Sequence, residues 1–163
     1  MKAYRTATAL LLVMFAVYAL AQSGAQASFE KLKTLQGTWT GKNSQGDPLQ
    51  VVFRATSAGS AILSEIVGKE DMISMFHMDG DRLMMTHYCG AGNQPRMVAK
   101  ASPDGKTFTF DFLDGTNIVP PTTGHMQHMV LTIVDENHHS EDWTFVQEDG
   151  KKLSEHFDLQ RKG

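Results

Sequence analysis

Residues 86–97 read THYCGAGNQPRM and gather most of the side-chain types that bind ligands or take part in catalysis. His87 and Cys89 are two positions apart, so in an extended strand their side chains point to the same face. Such a pair suits a zinc or copper site, a polar contact for a ligand, or a nucleophile with its general base. The structural alternative is a buried histidine bonded to the backbone beside a small buried thiol. The residues alone leave these four interpretations open.

Arg96 follows a glycine-rich segment, residues 90–93, that suits either a wide hairpin loop or a moving portal at the mouth of a barrel. Alternation along the strand places Arg96 on the face opposite to Met97, which is the outer face. A bulge after Pro95 would instead turn Arg96 inward, where its guanidinium group would pair with a ligand carboxylate. Arg96 is therefore a candidate ligand contact with two alternative directions.

The other reactive residues indicate neither a metal site nor a catalytic centre. His125 and His128 are three positions apart and face opposite sides of a strand, so they are not a chelating pair. Serine, histidine and aspartate are all present, but without the local signature of a nucleophile elbow. We predict no metal ligands and favour a role without catalysis. A small barrel enzyme that uses His87 and Cys89 is the alternative.

The first residues have the order of a secretory signal peptide. Lys2 and Arg5 precede an apolar run over residues 7–20, and small residues follow that run. The sequence Ala-Gln-Ala at 25–27 offers a cleavage site, and Ala-Leu-Ala at 19–21 offers a second one.

We therefore predict a signal peptide over residues 1–27 and a single exported domain, periplasmic or secreted, over residues 28–163. An uncleaved anchor is the alternative, although the apolar run is shorter than the roughly 20 residues of a spanning helix. Loss of residues 1–27 removes two positive charges and no acid, which takes the formal net charge from −3 to −5. An acidic domain of this kind has no electrostatic reason to bind nucleic acid or anionic lipid. We expect no stable membrane insertion after cleavage.

One helix is predicted at the start of the exported domain, in the segment SFEKLKTL. Ser28 suits its N-cap, and Phe29, Leu32 and Leu35 lie on one face at helical spacing. Gly37 ends the helix. A single cysteine excludes an internal disulfide, so the fold must rest on its hydrophobic core.

After the helix the hydrophobic period changes from 3.6 to two, and turn residues recur at short intervals. These turns are rich in glycine, with Asp-Gly at residues 79–80, 114–115 and 149–150. The pattern predicts eight to ten short antiparallel strands in sequential order. The candidate strands are 37–43, 49–57, 60–67, 71–78, 82–89, 94–102, 106–113, 124–134, 140–147 and 151–160.

The hairpins also predict which side chains share a face. A three-residue loop at residues 148–150 pairs Phe145 with Leu153 and Trp143 with Glu155. An even-length loop before Phe108 sets Met97, Ala99 and Ala101 opposite three phenylalanines. Every strand then carries an apolar face that one helix is too small to cover. We predict an all-β fold, a closed antiparallel up-and-down barrel with a short N-terminal helix.

The segment LQGTWTGK, residues 35–42, resembles the G-x-W signature of the lipocalin-like (calycin) barrels. The resemblance lies in Gly37 and Trp39, after a short helix and at the start of the first strand. It implies that Trp39 closes one end of the barrel and that a basic residue late in the last strand, Arg161, stacks on it. The strand number and the phrase DPLQVVF look more like nitrobindin-type and fatty-acid-binding barrels than eight-stranded lipocalins. The portion from residue 77 onward looks like a group of exported bacterial proteins of unknown activity.

The function predicted from this barrel is reversible binding of a small apolar or amphipathic ligand in its lumen. An apolar ligand is stabilised by roughly 25 cal/mol for each Å² removed from water, and a few polar groups fix its orientation. No cofactor is predicted; haem or a metal held by His87 is the alternative. Haem-binding barrels place a histidine near the C-terminal strands, where only His156 lies, on the predicted outer face. The ligand contacts predicted from the sequence are His87, Cys89, Arg96, Phe53, Met85, Met97, Phe108, Phe110 and Phe112.

Overall fold

The structure, a computed structural model, describes residues 24–68 and 71–163 and contains ten antiparallel strands. Each strand agrees with its predicted position to within a few residues. The strands are β1 (Gly37–Lys42), β2 (Pro48–Thr56), β3 (Ala61–Val67), β4 (Met72–Asp79), β5 (Arg82–Tyr88), β6 (Gln94–Ala101), β7 (Thr107–Thr116), β8 (His125–Ile133), β9 (His138–Val146) and β10 (Lys152–Arg161).

The sheet is a closed barrel in which every strand pairs with its neighbours in the sequence and β1 pairs with β10. The predicted closed up-and-down barrel is therefore confirmed. Closure pairs the backbone groups of the first and last strands, which would otherwise be exposed sheet edges. We call the end at which β1 begins and β10 ends the closed end. The opposite end, called the rim, carries the loops 43–47, 89–93, 117–124 and 147–151.

The predicted facing of the hairpins is also confirmed. Phe145 lies opposite Leu153, and Trp143 lies opposite Glu155. Around the turn between β6 and β7, the aligned pairs are Met97 with Phe112, Ala99 with Phe110, and Ala101 with Phe108. Side chains that alternate toward the lumen form one continuous buried cluster.

The helix covers the closed end, but its start differs from the prediction. Residues 24–33 are helical, so the helix is already formed at Gly24 rather than beginning at residue 28. Ser28 therefore does not cap it; its hydroxyl group donates a hydrogen bond to the Gly24 carbonyl one turn earlier, at 2.9 Å. The apolar face is as expected, because Phe29, Leu32 and Leu35 are each no more than 2% exposed.

The predicted signal peptide lies largely outside the described residues, which include only 24–27 of the segment 1–27. It stays a prediction. Within residues 24–68 and 71–163, no helix has the length and apolar character that would carry it across a bilayer.

Trp39 and Arg161 seal the closed end together. They are directly opposite each other in the pairing of β1 with β10, and the Arg161 guanidinium carbon lies 4.1 Å from the centroid of the Trp39 ring. The Trp39 indole N–H donates to the Leu35 carbonyl at 2.7 Å, which ties the end of the helical segment to the barrel. The stacking implied by the resemblance is therefore present.

The same guanidinium group donates hydrogen bonds to three backbone carbonyls, two after the end of the helix and one in a nearby loop. Arg161 donates to the carbonyl oxygens of Thr34, Gln36 and Glu136 at 3.0, 2.7 and 2.8 Å. Gly37 makes room for it, because a Cβ atom at this position would lie 2.9 Å from Arg161 Nη1 and the φ angle is +131°. Glycine is the residue that accepts both conditions.

We expect Arg161→Ala to lower the free energy of unfolding by about 2–4 kcal/mol, because it removes the stacking and leaves three carbonyls without their donor. The matched control is Arg82→Ala, since Arg82 forms an exposed ion pair with Asp79. That pair should contribute less than about 1 kcal/mol. Urea unfolding of both variants tests the expectation, and equal losses would contradict it.

Candidate functional site

The lumen is lined by side chains that the sequence analysis placed there. Five of the predicted contact residues are almost completely buried in one core cluster: Phe53, Met85, Met97, Phe108 and Phe110. Phe112 is half-buried nearer the rim, with its ring centroid 4.4 Å from that of His125. His125 is itself buried and donates from Nδ1 to the Thr123 carbonyl at 2.7 Å.

His87 is the polar residue at the centre of the site. It is 0% exposed, and its Nδ1 atom lies 2.9 Å from the hydroxyl oxygen of Ser74. Its Nε2 atom is buried and has no hydrogen-bond partner. The ring centroid lies 5.0 Å from that of Trp143. A buried polar atom without a partner is costly, so Nε2 marks a position that a further group would satisfy.

Burial also fixes the charge of His87. Removal from water lowers the pKa of this imidazole to about 4, because the charged form loses its hydration. The ring is therefore neutral at neutral pH. Which ring nitrogen carries the proton depends on whether the Ser74 hydroxyl donates or accepts, so Nε2 is correspondingly a donor or an acceptor.

Strand register brings three polar side chains into one row at the level of His87. Ser64 of β3 is directly opposite Ser74 of β4, and Ser74 is directly opposite His87 of β5. All three are buried. Cross-strand partners share a face, so the row lies on the lumen side of three adjacent strands.

A second polar group lies between the row and the closed end. The Trp143 indole N–H donates to Glu141 Oε2 at 2.9 Å, and His139 Nε2 lies 3.3 Å from Glu141 Oε1. His139 and Glu141 are 0% and 1% exposed, and the His139 ring centroid lies 4.3 Å from that of Trp39. The sequence analysis missed this group and Ser74. Extending β9 by two residues would have found His139, because it alternates in phase with Glu141 and Trp143.

The structure separates two predicted contacts from the lumen row. Cys89 lies just beyond the end of β5 and is half-buried; its backbone N–H donates to Asn93 and its carbonyl accepts from Gly92. Arg96 lies on the outer face, as alternation predicted, and donates from Nε to Asp114 at 2.6 Å. The register shift falls between Arg96 and Met97 and does not turn the arginine inward.

Two clefts open at the rim. One, of about 500 Å³, lies between three rim loops and includes Asn93, Gly124 and Phe145 in its lining. The other, of about 580 Å³, is lined in part by Leu49, Ile66, Met72 and Phe157, with Glu155 at its edge. The second cleft includes Ile66 and Phe157 of the buried core cluster, and the first includes Phe145, which packs against that cluster.

Asn93 joins two of the loops that line the first cleft. Its side-chain amide donates to the Gly124 carbonyl at 2.8 Å, and Asn117 donates to the Gly92 carbonyl at 3.3 Å. Two loops are thereby tied across the rim. Asn93 is 2% exposed, and its Oδ1 atom has no partner. The burial of Asn93 was not predicted, because it depends on a contact with Gly124, which lies 31 residues further along the chain.

Three further histidines, His128, His138 and His156, pair with aspartates on the outer face. His128 lies 2.9 Å from Asp111, and His156 lies 2.7 Å from Asp142. His156 is exposed, as the hairpin pairing predicted. Among the described residues, no set of three or more histidine, cysteine, aspartate or glutamate side chains is arranged to hold a metal ion.

No protein-family model matches the chain, and no curated protein matches it. Solved structures that resemble it include Rv2717c from M. tuberculosis, with a TM-score of 0.56 and 17% identity, covering 83% of this chain and 98% of that one. Another is a protein of unknown function from the DUF3598 family of Nostoc punctiforme, with a TM-score of 0.55 and 10% identity. That match covers 80% of this chain and 48% of the Nostoc protein, so this chain spans about half of the length of the Nostoc protein. The likeness shows the fold and fits a lipocalin-like barrel.

We expect the neutrality of His87 to make stability depend on pH. Between pH 6.5 and 4 the unfolded chain binds a proton at this residue and the folded chain does not, so its contribution is complete above pH 6.5 and is lost as pH falls toward 4. Wild type should lose about 2–3 kcal/mol more than His87→Phe between pH 7 and pH 4.5. Urea unfolding at both pH values measures this difference. Parallel losses in the two proteins, or an imidazole that titrates near pH 6.5 by NMR, would contradict it.

Proposed function

We propose that the protein binds a small, largely apolar molecule in the rim half of the lumen, with His87 as its main polar contact. The observation that carries the proposal is the unpaired Nε2 atom of a completely buried, neutral imidazole. A hydrogen bond from the ligand would satisfy this atom. The predicted signal peptide supports the further proposal that binding takes place outside the cytoplasm.

The surroundings of His87 support an apolar ligand. Trp143 lies against the imidazole, and Phe145, two residues further along β9, lines the cleft above it. Met85 is two residues from His87 on the same strand face and is directly opposite Met97. Thioether side chains are unbranched and adapt to irregular volumes, so displacement of these methionines would give room to a two-ring molecule.

The rim clefts support an entry path from above. The amide of Asn93 that bridges to Gly124 makes one hydrogen bond in the described structure, and its breakage would separate two rim loops. A neutral hydrogen bond contributes only about 1 kcal/mol net, so opening of this contact is compatible with reversible binding.

Haem, which the sequence analysis kept as an alternative, fits this lumen less well. A porphyrin next to Nε2 is larger than a two-ring molecule and would have to displace Phe110 in addition to Met85 and Met97, all of which are completely buried. An absorption band that appears on addition of hemin and is lost in a His87 variant would count against the proposed ligand class.

The test uses 1-naphthalenemethanol, whose hydroxyl group donates or accepts and so suits either tautomer of His87. We expect saturable binding by calorimetry, weakened five- to tenfold in His87→Phe because one neutral hydrogen bond of about 1 kcal/mol is lost. The matched control, His128→Phe, changes a histidine on the outer face and should bind as wild type does.

A second measurement keeps the proposal testable if His87→Phe folds poorly. In labelled wild-type protein, the probe should shift the NMR signals of the His87 ring nitrogens and of the Trp143 indole. Shifts confined to the outer face, or equal affinity in wild type and His87→Phe, would overturn the proposal.

A further inference from the structure

We infer that the lumen selects uncharged ligands and rejects carboxylates. This inference rests on the proposed binding function and concerns the chemical class of the ligand's polar group. The sequence analysis kept open an inward Arg96 that would pair with a ligand carboxylate. The structure places this arginine on the outer face, so the selectivity is expected to be the opposite.

The cationic side chains of the described residues lie away from the buried lumen. The buried polar or charged residues in this part of the chain are Ser64, Ser74, His87, Asn93, His125, His139 and Glu141, and none is a lysine or arginine. Arg96 is occupied on the outer face by a carboxylate that accepts from Nε and Nη2. Arg161 donates to three backbone carbonyls at the closed end.

The two histidines nearest the site do not replace the missing cation. His87 is bonded through Nδ1 to the Ser74 hydroxyl group, and its ring lies beside the ring of Trp143. His139 is already beside the carboxyl group of Glu141. An incoming carboxylate would meet a neutral imidazole and hydroxyl groups.

The acidic groups of the lumen and rim also disfavour the binding of a carboxylate. Glu141 lies in the lumen below His87, connected to it through Trp143. At the rim, Glu155 lines one cleft, and Glu148 and Asp149 line the other. A buried anion without a cationic partner keeps its full desolvation cost, and a nearby carboxylate adds repulsion. A hydroxyl or amide group avoids both costs and still satisfies Nε2.

The experiment compares 1-naphthoate with 1-naphthamide, which have the same rings and nearly the same head-group shape and differ in charge at pH 7. Calorimetric titration of the full-length protein gives both dissociation constants. We expect 1-naphthamide to bind at least tenfold more tightly than 1-naphthoate. The control Arg96→Ala should change neither constant, because this arginine lies on the outer face.

The outcomes separate this inference from the proposed function. If 1-naphthalenemethanol and 1-naphthamide bind but 1-naphthoate binds within tenfold of the amide, the selectivity is overturned and the binding function stands. Weaker binding of 1-naphthoate to Arg96→Ala would place a carboxylate site at that arginine and also overturn the inference. If none of the three compounds binds, the proposed function itself fails.

Discussion

The barrel depends on the contact between its first strand and its last. Arg161 stacks on Trp39 and donates to three carbonyls from the helical segment and a loop, so one side chain joins β1, β10, the helix end and the β8–β9 connection. Closure of the sheet follows from the same pairing, since Trp39 and Arg161 are opposite each other in register. Without closure, neither the lumen nor the row of polar residues inside it would be shielded from water.

Polar groups inside the lumen are arranged differently from those outside. On the outer face, histidines and arginines pair with aspartates, as His156 does with Asp142 and Arg96 with Asp114. Inside, polar groups meet mostly other neutral groups, and Glu141 is held by an indole N–H and by His139. A lumen intended only as a packed core would be stabilised at least as well by apolar side chains. The unpaired Nε2 atom of His87 in this row is the feature on which the proposed binding function rests.

Much of the fold was predictable because the signals are local. Tight turns fix hairpin register, and register fixes facing, which is why Met97, Phe110 and Trp143 were correctly placed in the lumen. The predicted start of the helix was wrong. Serine is a common N-cap residue, but Ser28 lies inside a helix already formed at Gly24, and its hydroxyl group donates a hydrogen bond to the Gly24 carbonyl.

The site was predictable only in part, since its completing residues come from distant positions. His87 was found from its strand, but its partner Ser74 is set by pairing across the β4–β5 hairpin and was not singled out. His139 was left out of the predicted strand, because that strand was placed at residues 140–147 and begins two residues earlier, at His138. Asn93 looked like an ordinary loop residue until the β7–β8 loop was placed against it.

The pairing of the first strand with the last has a consequence for the folding of the barrel. Until β10 is in place, β1 and β9 each keep an unpaired sheet edge, because β10 is the strand that pairs with both of them. The barrel therefore cannot close before β10 has paired on both sides. Its assembly is a late event governed by contacts of high sequence separation, and the open intermediate has exposed edges that favour aggregation.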